Sequence, residues 1–406
     1  MEKKTFIIIG SIVIIALLGA WFYLIFSKDS TPVVEDDYEM GAVGDEVTVP
    51  EQNIIATTTT VTTRAKLRQI TTKPVAGFRE IISDNTNAES ESQLPTVYWV
   101  EMGTGHIYAS DLETKTENRI SGTTVGDVNL ADISPKGDFV AFGKREYSKN
   151  YPLLVSKIDP GEENLSLREV AAKAEQFSIS ADGKHLLFAN KTDYGLTGVA
   201  YNLTTQNRSD LFKIPFHEAT IQWGSAINSP VYVYPKTSYM LDGFLLEINN
   251  GVTKRLSASG IGFSALANSQ VILYTSNEKN IPTSHIVDRK TKTDHPLSLS
   301  LLPEKCVGTQ AISFLICATD RNTTLPSQFP DTWYQGSLRF QDSLWFIRLE
   351  DDEVSWELLT DTTKNELNPT ENSGREIDIT NIQLGNSSRV VYFINKNDNT
   401  LWMYEL

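Results

Sequence analysis

A chain of 406 residues, 40% hydrophobic and 21% charged, carries 51 Asp and Glu against 36 Lys and Arg, a formal charge of −15. That balance excludes a phosphate-binding surface, because nucleic-acid binding draws most of its affinity from Lys and Arg neutralising phosphates; no nucleic-acid partner is expected. The apolar fraction excludes a wholly disordered chain.

The N-terminus is explicit. Lys3 and Lys4 precede an uncharged run, FIIIGSIVIIALLGAWFYLIF, residues 6–26. As a helix rising about 1.5 Å per residue, this run spans roughly 31 Å, the thickness of a hydrocarbon core. Trp21 and Tyr23 near its far end suit the interface, and the leading lysines place residues 1–5 in the cytoplasm. The run exceeds the ~7–15 apolar residues of a signal peptide, and Leu18-Gly19-Ala20 is a poor cleavage site. The expectation is a single-pass anchor, with the rest of the chain outside the cytoplasm, in the periplasm or at the cell surface. Residues 27–64, acidic and then Thr-rich (ATTTTVTT), lack the periodicity to build a core and read as a flexible linker. Residues 65–406 form the folded domain.

Within that domain, ISPKGDFVAF (133–142) returns as ISADGKHLLF (179–188). Each reads as strand, tight turn, strand, with Pro, Asp and Gly supplying the reversal. A third strand (PLLVSKID; GVAYNLT) and a fourth (LSLREV; SDLFKI) follow each copy. Four short strands per ~40–45 residues is the signature of a propeller blade. Weaker copies continue to IDITNIQLGNSSRVVYFINK and TLWMYEL, where the chain stops after three strands of its last blade. At the other end, GFREIIS (77–83) opens the first blade. The isolated KLRQIT (66–71) shares Arg, an apolar residue and Ser or Thr with the fourth strands ENRIS and TKRLS. KLRQIT is therefore expected to complete the last blade, closing a ring of seven without an open edge. The fold class is all-β, a seven-bladed β-propeller.

The two strong copies resemble the WD40-like, or TolB-type, propeller repeat, whose core reads roughly SPDGK before an apolar strand. The whole chain resembles uncharacterised bacterial propeller proteins with one N-terminal membrane anchor, a resemblance carried by PEKC (303–306), ICA (316–318) and DTWYQG (331–336). It implies fold and anchoring and assigns no activity.

No catalytic signature stands out: there is no GxSxG, no HExxH and no GxxxxGK[ST]. No enzyme activity, metal or cofactor is expected. Asp127, Glu175, Glu218 and Glu376 each precede a first strand, at loops entering the central channel; ordinary solvated acids are the plainer reading, a shared cation the sharper one. Cys306 and Cys317, the two cysteines, fall on the first two strands of blade six. A bridge is expected outside the cytoplasm, although a tight turn at Thr309-Gln310 would set Cys306 opposite Ser313 instead.

One loop is unusual. Between the second and third strands of blade six, residues 321–342 carry Phe329, Trp333, Tyr334 and Phe340, stiffened by Pro326 and Pro330. Loops of this length are commonly functional. Phe329, Trp333 and Tyr334 either tuck the loop onto its own blade or form a partner-binding surface. Tyr147, Tyr151, Tyr194 and Tyr239, in equivalent loops, would add aromatic anchors on the same face. The favoured function is a membrane-tethered recognition scaffold for a protein, peptide or glycan. A propeller hydrolase or lyase using the channel acids, and a structural part of envelope or appendage assembly, are the alternatives.

Overall fold

The computed structural model describes residues 66–82, 94–143, 151–159, 161–279, 281–308, 314–320, 325–361 and 376–406. The chain divides into two units, Met1–Thr62 and Thr63–Leu406, and every described residue belongs to the second. The expected anchor at 6–26, the linker at 27–64 and Tyr147 lie outside the described residues. Among those described, no helix is long and apolar enough to cross a membrane.

Seven antiparallel sheets of four strands follow one another along the chain. Their first, innermost strands are Val75–Glu80, Leu130–Ile133, Gln176–Ile179, Ala219–Gln222, Ser264–Ala267, Cys306–Val307 and Ile379–Leu384. Blade one therefore starts two residues earlier than the expected GFREIIS. The repeated decapeptides form the turns between first and second strands. Ser134 Oγ accepts from the Asp138 and Phe139 N–H groups at 3.0 and 2.9 Å, and Ser180 Oγ from His185 N–H at 3.1 Å. Gly137 and Gly183 take φ of 73° and 69°, a left-handed backbone that glycine adopts without a Cβ penalty. The recurrence is thus one hydroxyl-capped turn used twice.

The second strands read as continuous apolar runs, such as VVYFIN at Val390–Asn395, in which every residue is buried. Each blade packs between two neighbours, so both faces of a central strand are covered. Outermost strands such as TENRIS (Thr116–Ser121) keep an exposed edge and are polar. The core consists of these inter-blade layers. Ile316 and Leu344 of blade six meet Val391, Phe393 and Trp402 of blade seven, while Tyr392 and Met403 on the other side meet Phe78 and Trp99 of blade one.

Side chains staple one inner strand to the next. Asp132 accepts from Arg79 at 2.8 Å behind it and from Ile179 N–H at 2.8 Å ahead. Gln176 holds Ala219 and Ile221 at 2.8 and 2.9 Å, and Gln222 accepts from Ala267 N–H at 2.9 Å. Inner strands of different blades share no ladder, so these contacts replace backbone pairing.

The ring closes as expected. Leu67–Gln69 is the outermost strand of blade seven, pairing Leu67 with Tyr404, Arg68 with Met403 and Gln69 with Trp402. Leu67 is buried among Trp402, Tyr404 and Ile379, and Arg68 donates to Leu112 O in blade one at 2.9 Å.

Candidate functional site

Strand direction alternates within a blade, so loops between second and third strands share one face with the blade-to-blade connections. The insert of blade six lies on that face. Its centre is a single helical turn, Asp331–Tyr334. Asp331 accepts from Ser238 Oγ and Tyr239 N–H of blade four at 2.9 and 3.0 Å. Tyr334 donates to Glu304 Oε1 at 2.7 Å at the entry to blade six. From blade seven, Lys396 donates to Trp333 O and sits 4.3 Å from its ring centre. Blades four and seven are as far apart as a ring of seven allows. A segment tied to both crosses the mouth of the central channel.

Beneath the helical turn lies a buried ionic group. Lys305 Nζ donates to Asp342 Oδ2 at 2.7 Å and Asp378 Oδ1 at 2.6 Å, with all three side chains at most 1% exposed. Trp333 Nε1 donates to both Asp378 oxygens at 3.0 and 3.1 Å, and Ile379 N–H to Asp342 Oδ2 at 2.6 Å. The Phe340 ring centre is 4.2 Å from Nζ. Burial pushes the Asp342 carboxyl up to about 6, against the opposing pull of Lys305. Beside this group a cavity of about 220 Å³, partly open to solvent, is lined by Lys305, Asp320, Leu325, Phe329, Phe340 and Asp342 among others.

This geometry bears on two pairs of alternatives. Phe329 and Trp333, candidates for a partner-binding surface, are each only 3% exposed and pack with Leu302 and Phe340. Large rings are worth more buried over the channel mouth than presented to water, so they hold the insert down. Tyr334 keeps an exposed edge, but its hydroxyl is engaged by Glu304. Nor do the four acids converge. Glu175 pairs with Lys173 at 3.3 Å and Glu218 with Lys236 at 3.6 Å. Asp127 occupies a left-handed turn position at φ 61°, and Glu376 is exposed. Among the described residues, no group of three or more His, Cys, Asp or Glu could hold a metal ion.

The other candidates separate. Tyr151 is half-buried and donates to Gly126 O at 3.0 Å; Tyr239 is half-buried beside Asp331. Tyr194 stands at a turn tip, almost fully exposed. Cys306 and Cys317 face each other directly across the first two strands of blade six and are joined as a disulfide. The register pairs Cys306 with Cys317 and Val307 with Ile316.

The face also carries a set that sequence reasoning missed. Met240, Leu241, Ile261 and Ile281, with Tyr194, are 46–90% exposed. All sit at loops or strand ends of blades three to five on the face crossed by the insert. Gly262 N–H donates to Leu241 O at 2.9 Å, and Asn277 Nδ2 to Tyr239 O at 3.2 Å, so the tips of blades four and five are tied together. The available signal was aliphatic residues, as in YMLDG, at positions where turns are ordinarily polar.

No protein-family model and no curated protein matches the chain. Among solved structures, the β-propeller domain of Cps50 (Swd1) from Myceliophteria thermophila matches with a TM-score of 0.50 at 9% identity, over 84% of this chain and 99% of that one. A chain of a mitotic checkpoint complex matches with a TM-score of 0.50 at 10% identity, over 91% and 99%. The fold is a WD40-like seven-bladed β-propeller. TolB from Acinetobacter baumannii matches at 18% identity with a TM-score of 0.35, over 50% of this chain and 52% of that one.

Proposed function

We propose that this chain is a non-catalytic interaction scaffold, tethered to a membrane by residues 6–26 and held outside the cytoplasm, that docks a protein partner on the face crossed by the blade-six insert. The observation that carries the reading is the exposed apolar arc of Tyr194, Met240, Leu241, Ile261 and Ile281. Large exposed apolar side chains gathered on one face mark interaction sites, and a mainly aliphatic set suits a protein surface better than a glycan. The insert stiffens this face by tying blades four, six and seven together, which lowers the ordering cost of docking. The similar structures include a chain of a mitotic checkpoint complex; a protein partner is the corresponding proposal here. The Lys305–Asp342–Asp378 group acts in holding the insert, and no reaction is assigned to it.

The test places a photo-crosslinking residue at Met240 or Ile281 in the full-length, membrane-bound protein, with Val252 on the opposite face as control. One defined protein adduct from the first two sites and none from Val252 is expected. Equal adducts from both faces would remove the reading.

A further inference from the structure

Resting on the scaffold reading, we propose that the cavity beside the insert is the anchor pocket for a cationic side chain, Lys or Arg, of the docking protein. Its walls place it on the docking face. They come from the connection between blades five and six, the end of the second strand of blade six, the insert, and Asp342 at the start of the third strand. At about 220 Å³ the cavity falls below the ~300–1,000 Å³ of sites for drug-sized ligands. One side chain suits it better than a free metabolite.

The lining chemistry selects the charge. Asp320 and Asp342 contribute carboxylates, and the ammonium of Lys305 is already engaged by Asp342 and Asp378. Lys396 brings a second cation near Asp378 by stacking on Trp333, but does not line the cavity. Two of the three charged residues that line the cavity are acids. Phe329 and Phe340 offer ring faces, and Phe340 already takes the Lys305 ammonium at 4.2 Å, an attraction that strengthens when water is excluded. Leu302 and Leu325 line the wall where an aliphatic stem would run. The raised carboxyl of Asp342 agrees with a buried charge that one more cation would stabilise. The net charge of −15 steers basic surfaces toward the domain.

The probe pair is N-acetyl-arginine amide and its uncharged near-isostere N-acetyl-citrulline amide, titrated by calorimetry into the full-length protein in detergent. Saturable binding of the arginine probe, about tenfold or more tighter than the citrulline probe, is expected from a hydrogen-bonded charge. Leu325→Trp, which fills the cavity, should abolish it. Asp320→Asn, whose amide oxygen can still accept from Gln341 N–H, should weaken it with the melting temperature within a few degrees, and serves if Leu325→Trp does not fold. No binding, equal binding of both probes, or full binding to a folded Leu325→Trp would overturn the pocket. The two proposals fail separately. Replacing Met240, Leu241 and Ile281 with Ser should leave the arginine titration intact while ending partner capture. Retained capture would count against the arc alone.

Discussion

Replacing Lys305 with Met leaves the packing volume nearly unchanged and removes the ammonium between Asp342 and Asp378. Two charge-assisted hydrogen bonds, at 2.7 and 2.6 Å between groups at most 1% exposed, are lost. Removing one partner of a buried ionic group costs about 3–5 kcal/mol, and that is the expected penalty at pH 8. The penalty should shrink in acid. Burial already raises the Asp342 carboxyl to about 6, above the ~3.9 of an unfolded Asp, and loss of Lys305 raises it further. A carboxyl raised in the folded state binds its proton more tightly there than in the unfolded chain. Its contribution is therefore fully present at low pH and lost as pH rises through the folded value. Each unit of further rise makes the variant's penalty at pH 5 smaller than at pH 8 by about 1.4 kcal/mol. Urea denaturation followed by tryptophan fluorescence at both pH values reads the effect. A penalty under about 1 kcal/mol at pH 8, or the same penalty at pH 5, would refute the reasoning.

Deleting residues 66–72 removes the outer strand of blade seven and the burial of Leu67, worth roughly 1.5–3 kcal/mol before any ladder bonds are counted. The melting temperature should fall by several degrees, and a wild-type value would break the ring closure. Reducing the Cys306–Cys317 bridge, which closes a loop of sequence separation 11, should lower stability by about 3 kcal/mol on the chain-entropy view. Two alkylated thiols in the folded, unreduced protein would contradict that bridge. Trp333→Ala should cost about 3–5 kcal/mol, and Trp333→Phe about 1–3 kcal/mol through the lost donor to Asp378; neutral effects in thermal melts would mean the insert is not held by this ring.

The blades were legible because their signals are local and periodic. A capped Ser turn, a Gly and an apolar run recur within ten residues, and a blade lacking one strand points to the strand left over at the other end. The insert was legible as an anomaly but not in its orientation. Phe329 and Trp333 look the same in sequence whether they face a partner or a channel. What decides is non-local, since Lys305 lies 37 residues from Asp342 and 73 from Asp378. A lone Lys before a strand, and an acid between Ile377 and Ile379, were the faint signs. The disulfide depended on the length of one turn, which fixes register but leaves little trace in composition. Met240, Leu241 and Ile281 were passed over because aliphatic residues near strand ends resemble core.

The docking face is tested most directly by photo-crosslinking from Met240 and Ile281 in membranes carrying the full-length protein, with Val252 on the opposite face as reference. The account predicts one defined protein adduct from the first two positions, lost when Tyr194 and Leu241 are both changed to Ser, with no adduct from Val252. The same adduct from all three positions, or one unchanged by those substitutions, would contradict it.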